Sequence, residues 1–473
     1  MSKPSAYAAN KAIDSVQARL TDYAIQLRYE DLAPQAIRAA RMCLIDTLGA
    51  LICGFFGEPC RIARDLAAQM PDDAGVSVIG TRMKCTPDMA AFVNATTARF
   101  AELTDIYHWP GSSVAHPSDI LTPVLAAAEH AHASGRDLIT SIVLAYEVCL
   151  QVACAFRNDG FDNTNFGLLG TAAGAGKVLG LSADQLAHCL SMAVVPNNIL
   201  KQARRGQKTM FKAVASGQAA RAGVFAALLA RAGMEGPHLP FEGKAGWIAH
   251  VAGGRFTLGA LGGGDVPYKI LGTRIKNRPA AGPSIASILA AEKLAPLNID
   301  DIHEIIVEVH KLAKSNTAPG ERPWPLGSRE DADHSTPYLV AATLRDGSVT
   351  LSTFDDAHLS NPELRALTQK VEIVVNDDFT RAYESVPQEH HSRVTVVTNS
   401  GERLVAAAGG DADDLSAPRT EKQIEEKFRS LTEDYLGAKQ VSRILERLWS
   451  LDDIADVGVI APMFTLASLL VDA

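Results

Sequence analysis

The sequence contains few cysteines, and they form no disulfide or metal-binding framework. Its 473 residues include seven cysteines, an odd number, with no Cys-x-x-Cys pair among them. Most lie in apolar stretches, where a thiol packs as a small hydrophobic side chain. This usage predicts a reducing compartment and argues against an iron-sulfur centre, so we expect a cytoplasmic protein.

Basic runs and membrane-spanning segments are also scarce. The formal net charge is -9, and the densest basic cluster is the short stretch 201–205. Such a chain lacks the electrostatic footprint of a nucleic-acid-binding protein. The polar N-terminus leads into no apolar signal core, and charges interrupt the most apolar segments before about 18 residues. We therefore expect neither a nucleic-acid partner nor a membrane.

No cofactor or nucleophile motif is complete. Residues 174–177 resemble part of a phosphate loop but lack its leading glycine and following hydroxyl residue. A Gly-x-Ser-x-Gly elbow and a zinc-binding His-Glu-x-x-His helix are missing. The histidine pairs at 130/132 and 390/391 have no acidic or cysteine partner at ligand spacing, so they are predicted to be surface histidines. We expect no metal and no cofactor.

The periodicity of apolar residues divides the chain into three parts. Residues 1–265 show helical spacing and many small residues, which indicates closely packed helices. Residues 266–417 contain short β-branched runs at 305–309, 371–375 and 394–398, separated by helical stretches. Helical spacing returns from 418 to 473. The predicted fold is mainly α, with a large all-helical domain built from both chain ends and a smaller α+β lid domain.

The most informative segment is the loop 101–119, which lies between two helical stretches. It places acidic, imidazole and hydroxyl groups among glycine and proline, as loops that carry chemistry often do. The alternative is a solvated loop whose Asp119 caps the following helix.

Four segments together resemble one family. They are Glu102-Leu-Thr-Asp105 followed by His116-Pro-Ser-Asp119; Lys212-Ala-Val-Ala-Ser-Gly with Gly236-Pro237 and Glu242-Gly243; Lys276-Asn-Arg278-Pro; and Asp333-His334-Ser-Thr-Pro-Tyr338. Their order and spacing resemble the MmgE/PrpD family, which includes 2-methylcitrate dehydratases, cis-aconitate decarboxylases and iminodisuccinate epimerase-like enzymes. The resemblance implies a metal-independent lyase, usually a homodimer, that acts on small di- or tricarboxylic acids.

The resemblance also suggests which residues carry the chemistry. Removing a proton next to a carboxylate needs a positioned base and cations that offset the developing charge. His116 is the first candidate for proton transfer, because imidazole titrates near neutral pH. Lys212 is a candidate general acid or carboxylate ligand. Glu102 and Asp105 match the acidic positions, as a base or as partners that fix the His116 tautomer, with a structural role as the alternative.

The lid supplies the remaining candidates. Lys276 and Arg278 are expected to bind substrate carboxylates, the arginine by bidentate geometry. Tyr338 is a candidate donor to a leaving hydroxyl, and His334 is expected to orient Tyr338 or contact the substrate. For both, the alternative is a satisfied polar group of the core.

Two positions depart from the decarboxylase branch of the family. Ile106 stands where that branch has a threonine, and Ala281 where it has a histidine. The predicted activity is therefore that of a carbon-oxygen lyase (hydro-lyase) that dehydrates a hydroxy polycarboxylate similar to 2-methylcitrate. An isomerase or epimerase, a decarboxylase and a non-catalytic polycarboxylate-binding protein are the alternatives.

Overall fold

The first half of the chain is helical. The computed structural model describes residues 13–157, 160–317, 326, 328–410 and 414–466. The helices that precede the lid are α1 (Ser15–Gln26), α2 (Pro34–Gly54), α3 (Glu58–Ala67), α4 (Pro87–Phe100), α5 (Leu121–His130), α6 (Gly135–Cys154), α7 (Thr164–Val178), α8 (Ala183–Val194), α9 (Phe211–Arg231) and α10 (Trp247–His250).

Side-chain caps explain why several helices begin where they do. Ser134 before α6 and Ser182 before α8 each accept a bond from a backbone N–H inside the helix, and the third helical residue bonds back to the cap. Reciprocal bonds of this kind satisfy two donors that the helix cannot pair itself. The sequence therefore fixes these helix starts locally.

Small residues allow the central helices to pack closely. A Cβ atom added at Gly170 of α7 would lie 2.6 Å from the backbone oxygen of Ala145 in α6. Helices α6 and α9 are long and apolar enough to cross a membrane, but 89% and 67% of their most apolar windows are buried inside the protein. Packing against neighbouring helices accounts for their composition.

The second part of the chain combines a sheet with short helices. Its strands are β5 (Ile302–Val309), β6 (Val371–Val375), β7 (Ser392–Thr398) and β8 (Arg403–Ala408). They form a four-stranded sheet in the order β6-β5-β7-β8, in which β5 and β6 are parallel and the other pairs antiparallel. The helices of this part are α11 (Ile285–Glu292), α12 (Lys311–Thr317), α13 (Arg329–Ala332), α14 (Thr336–Asp346), α15 (Asp356–Leu359), α16 (Pro362–Gln369) and α17 (Asp377–Glu384). The mainly helical fold with a mixed α+β part is thus confirmed.

The C-terminal helices return to the helical part. These are α18 (Glu421–Leu436) and α19 (Ala438–Trp449), and their apolar residues share one buried core with α2. A Cβ at Gly49 of α2 would lie 3.0 Å from the ring of Phe428 in α18, so glycine permits this close approach. Lys427 on the same helix bonds the carbonyl oxygen of Leu103 at 2.7 Å. The end of the chain therefore supports the loop that precedes His116.

Two short pairings were not anticipated from the sequence. Strands β1 (Pro71–Ser77) and β2 (Lys84–Cys85) form an antiparallel pair within the helical part. Strands β3 (Asp105–Ile106) and β4 (Arg274–Ile275) pair Asp105 with Ile275. The second pairing joins the loop 101–119 to the segment that enters the lid, so it brings Lys276 next to that loop.

A cluster of histidines joins the lid to the same loop. His310 stacks on Tyr383 with ring centroids 3.8 Å apart, and His390 meets Tyr383 edge-on at 5.2 Å. The Nδ1 atom of His108, from the loop, lies 3.0 Å from the Tyr383 hydroxyl. The prediction that His390 is a surface histidine is wrong, because it is buried between these rings.

The histidine cluster should make the protein less stable in acid. Burial, and next the charges of neighbouring histidines, lower the pKa of His310 to about 4 and of His390 to about 3. Because unfolded histidine has a pKa near 6.5, the unfolded chain binds more protons, so stability present above pH ~6.5 is lost as the pH falls towards 4. We expect a loss on the order of 2 kcal/mol per histidine by pH 4, measured as a falling urea midpoint. A His310→Phe variant, which keeps the stacked ring, should show a shallower decline, and an unchanged slope would contradict the assignment.

Candidate active site

The loop 101–119 begins with a backbone turn that aims Glu102 inward. Helix α4 ends at Phe100, and Glu102 has a φ of +53°, in the left-handed region that residues other than glycine rarely adopt. Non-glycine residues in this region need support from the surrounding structure, and they cluster at functional sites. Here the support comes from charged side chains around the Glu102 carboxylate.

Three buried cations hold the Glu102 carboxylate. Arg99 lies 2.6 Å from Oε2, Lys212 lies 2.9 Å from Oε2, and Lys276 lies 2.7 Å from Oε1. All four side chains are at most 4% exposed. Burial by itself would raise the pKa of Glu102, but the three cations outweigh burial and hold this pKa well below its ordinary value. Glu102 is therefore a permanent carboxylate and a poor general base.

Lys212 links Glu102 to a second acidic residue. Its Nζ atom lies 2.9 and 2.8 Å from the two carboxylate oxygens of Asp333 and 3.3 Å from Nδ1 of His334. Ligand atoms of Glu102, Asp333 and His334 lie within 4.8 Å of one another, a spacing that can suit a metal ion. The Lys212 ammonium bonds these same acidic groups, so the arrangement fits an ion-pair network better than a metal site.

His116 is held through one of its ring nitrogens, and the other is hydrogen-bonded to none of the described residues. Its Nδ1 atom lies 2.9 Å from the backbone oxygen of Asp105. A carbonyl oxygen only accepts, so Nδ1 carries the proton and Nε2 keeps its lone pair. Burial, and next the charge of Arg99, lower the pKa of His116 well below its ordinary value. His116 is therefore a neutral imidazole at pH 7, as a base must be.

Asp105 positions His116 through its backbone rather than its carboxylate. The carboxylate accepts from the Ser118 N–H and the Tyr146 hydroxyl, both at 2.8 Å. Burial raises its pKa to about 6. No hydrogen bond among the described residues joins this carboxylate to the imidazole, so the structure favours a supporting role for Asp105 over that of a base.

Lys276 differs from an ordinary surface lysine in its proton affinity. It is fully buried and also donates to the carbonyl oxygen of Ala280 at 3.2 Å. Burial, opposed by the charge of Glu102, lowers its pKa to about 8. An ammonium with such a pKa can offset negative charge in a bound substrate and can also give up a proton.

Two of the predicted residues do not join this cluster. Tyr338 is buried in the apolar core of the lid, where its hydroxyl donates to the backbone oxygen of Thr353. Arg278 forms a bidentate pair with Glu292 on α11, at 2.6 and 2.8 Å. The hydroxyl of Tyr338 and the guanidinium of Arg278 thus have partners within the lid, and their roles in leaving-group protonation and carboxylate binding stay predictions.

The structure adds residues that sequence reasoning missed. Arg99 was overlooked although it lies one helical turn before Glu102, at the spacing of an intrahelical ion pair. Asp333 stands in the sequence next to the candidate His334, and its buried carboxylate binds Lys212. Asp119 does not cap a helix with its side chain; it accepts from the Ser216 hydroxyl at 2.8 Å and lies 3.6 Å from Arg99.

Two family models match most of the chain. Residues 18–258 match the MmgE/PrpD N-terminal domain, and residues 279–451 match the MmgE/PrpD C-terminal domain. The chain belongs to the MmgE/PrpD family. The resemblance noted in the four sequence segments is thereby confirmed.

Similar proteins within the MmgE/PrpD family have two different names. The cis-aconitate decarboxylase of Homo sapiens is 26% identical over 463 residues, which covers 92% of each chain. The 2-methylcitrate dehydratase of Cupriavidus necator is 27% identical over 409 residues, covering 81% of this chain and 82% of the relative. The 2-methylcitrate dehydratase of Escherichia coli (strain K12) is 25% identical, covering 77% and 78%. Sequence identities of 25–27% do not show whether this chain is more similar in function to the decarboxylase or to the dehydratases.

The two departures from the decarboxylase branch are buried and apolar in this member of the family. Ile106 packs in the core of the lid, and a Cβ at Gly282 would lie 2.8 Å from its Cδ1 atom. Ala281 is 5% exposed, and its N–H donates to the carbonyl oxygen of Asp333 at 2.8 Å. Both positions are therefore occupied by buried apolar side chains.

Proposed function

We propose that this MmgE/PrpD protein is a metal-independent hydro-lyase that dehydrates a small hydroxy polycarboxylate similar to 2-methylcitrate. The observation that carries the proposal is the buried cluster of Arg99, Lys212 and Lys276, together with His116, whose pKa is lowered by burial and by the charges of Arg99 and Lys276. Such a cluster suits an anionic substrate, and a neutral imidazole suits removal of a proton next to a carboxylate.

The proposed reaction begins at His116. Its Nε2 atom accepts the proton from the carbon next to a substrate carboxylate, and the electron pair forms an enediolate-like intermediate. Lys212 and Lys276 offset the charge that develops there, because a buried ammonium acts in a medium of low dielectric constant. Both lysines are nearly fully buried, so we expect the lid to move before a substrate reaches them.

Dehydration is preferred to decarboxylation because of Ile106 and Ala281. Both positions are apolar and buried, so neither can supply the polar contact expected in the decarboxylase branch. An epimerase remains the nearest alternative, because it needs the same proton removal but no departure of a hydroxyl group. A polycarboxylate-binding protein without activity is the alternative outside enzyme function.

The test is a panel of polycarboxylates incubated in deuterium oxide and followed by mass spectrometry. We expect a hydroxy polycarboxylate such as 2-methylcitrate to lose 18 mass units, the mass of water, with no loss of carbon dioxide. Loss of carbon dioxide from cis-aconitate would instead indicate a decarboxylase. Deuterium incorporation without a change of composition would indicate an epimerase. If no compound reacts but one raises the melting temperature, the protein is a binder.

We also propose a homodimer in a reducing compartment, as the family resemblance and the cysteines suggest. All seven cysteines are free thiols in the structure, and five of them are buried. Light scattering coupled to size-exclusion chromatography should give twice the mass of 50.3 kDa. A monomer at micromolar concentration would contradict the dimer without affecting the proposed reaction.

A further inference from the structure

His334 is the member of the ion-pair network that reaches solvent. Its side chain is 22% exposed, whereas those of Asp333 and Lys212 are 0% and 4% exposed. Its Nδ1 atom contacts the Asp333 carboxylate. Its Nε2 atom is hydrogen-bonded to none of the described residues. Nε2 is also absent from the set of buried side-chain atoms that have no hydrogen-bond partner, so it is not buried. Nε2 therefore faces accessible space beside the cation cluster.

The partner of Nδ1 fixes the tautomer of His334. The charge of Lys212 overcomes the effect of burial and lowers the pKa of Asp333 to about 2, so this carboxylate is ionised and only accepts. Nδ1 must then carry the proton, and Nε2 holds the lone pair. An ionised carboxylate on Nδ1 also stabilises the imidazolium once Nε2 gains a proton.

The charges around His334 keep it neutral until an anion arrives. Burial and the charge of Lys212 lower its pKa to about 4, while Asp333 and Glu102 act in the opposite direction. Farther out, Arg329 lies 3.7 Å from the Asp333 carboxylate, and Lys208 lies 4.0 Å from Asp331. A polycarboxylate bound against Lys212 would add negative charge next to His334. This charge would oppose the effect of Lys212 and raise the pKa of His334, which favours the imidazolium.

The structure also leaves the acid of the proposed dehydration unassigned. Tyr338 donates within the lid core, and Lys276 is fully buried and holds Glu102 and Ala280. His116 is the base. Of the residues first proposed for proton transfer or substrate contact, His334 combines an accessible ring nitrogen with a carboxylate partner.

We propose that binding of a polycarboxylate protonates His334 and that its Nε2–H is the acid that protonates the departing hydroxyl group. This assignment rests on the proposed function. His116 takes the α-proton, the carbon-carbon double bond forms, and the carbon-oxygen bond breaks. The oxygen leaves as water with the proton from His334, which returns to its neutral form with Nδ1–H still bound to Asp333. His116 then releases its proton to solvent, so one proton is taken up and one is released in each cycle.

Proton uptake on binding tests the assignment without turnover. Tricarballylate has three carboxylates and no hydroxyl group, so it cannot be dehydrated. Its binding enthalpy, measured by calorimetry at pH 7.5 in buffers of different ionisation enthalpy, gives the number of protons taken up. We expect close to one proton per bound ligand for the wild-type protein and less than about a third of that for His334→Asn. Asparagine keeps a donor for Asp333 but has no ring nitrogen to protonate.

A second aspartate-histidine pair provides the matched control. His358 lies on the lid with its Nδ1 atom 2.8 Å from Asp355. His358→Asn should leave proton uptake and turnover unchanged. A melting curve first establishes that each variant is folded. Should His334→Asn fail to fold, the wild-type measurement still decides, because tricarballylate binding without proton uptake overturns the assignment.

Turnover of 2-methylcitrate in deuterium oxide distinguishes the role of His334 as acid from that of His116 as base, because water loss and α-proton exchange are measured separately. His334→Asn should slow loss of water at least 100-fold while α-proton exchange continues, whereas removal of the His116 imidazole should stop both. Unchanged water loss in His334→Asn would overturn the role of His334 alone. A wild-type protein that neither binds tricarballylate nor converts any compound of the panel would overturn the proposed function and this assignment with it.

Discussion

Replacing Glu102 with glutamine should destabilise the protein by about 3–5 kcal/mol. The amide keeps the size of the side chain but removes the negative charge that Arg99, Lys212 and Lys276 share. These cations would then repel one another in a nearly water-free region, with less compensation for their lost hydration. The change should appear as a lower urea midpoint at pH 7.5.

A surface ion pair provides the control for Glu102→Gln. Glu421 lies 2.5 Å from Arg38, but the two side chains are 42% and 60% exposed. Glu421→Gln should cost at most about 1 kcal/mol, because solvent already screens that pair. If the two variants lower the free energy of unfolding equally, the buried charge of Glu102 does not stabilise the protein more than an exposed ion pair does, and the prediction is wrong.

Replacing His116 with glutamine should lower the rate of the proposed reaction by about 10²–10⁴-fold. Glutamine can still donate to the backbone oxygen of Asp105 but cannot accept and carry a proton as Nε2 does. We expect KM to change little, because the substrate carboxylates are held by other residues. Steady-state kinetics with the compound that reacts in the panel would measure both effects.

Tyr338→Phe is the matched comparison for His116→Gln, because it removes a polar group from the core of the lid rather than from the cation cluster. Tyr338 donates to the backbone oxygen of Thr353 inside the lid, so its loss should lower stability by roughly 1 kcal/mol and change the rate less than threefold. A large loss of activity in Tyr338→Phe would restore its predicted role. Near-normal activity in His116→Gln would refute the role of His116 as base.

The sequence predicted the helical and sheet segments because their periodicity is local. The β-branched runs at 305–309, 371–375 and 394–398 all lie within strands of the lid sheet. A single residue type, in contrast, does not predict which partner its side chain contacts. Arg278 and Tyr338 looked like substrate ligands, yet their partners are Glu292, a helix away, and Thr353, in the following segment. Such partners depend on how the lid folds, which motif spacing does not show.

His390 also shows that a residue type does not reveal its surroundings, here for a residue that was predicted to be exposed and is buried. The pair His390-His391 was interpreted as lacking an acidic or cysteine partner at ligand spacing, which made a surface histidine the natural expectation for His390. In the structure its ring packs against Tyr383 and near His310, which lies about 80 residues earlier in the chain. The resulting burial, rather than the residue type, lowers the pKa of His390 and creates the expected acid sensitivity.

The sequence by itself determined the inventory of chemical groups. It places an acid at 102 and an imidazole at 116 in the loop 101–119, and lysines at 212 and 276 in the order that resembles the family. Only the tertiary structure decided what these groups do. It surrounded Glu102 with three cations, which makes it an ion-pair partner rather than a base, and it turned the backbone of Asp105 towards His116. The reason is physical: proton affinity depends on burial and on charges within a few ångströms, and those neighbours come from α4, α9 and the segment that enters the lid.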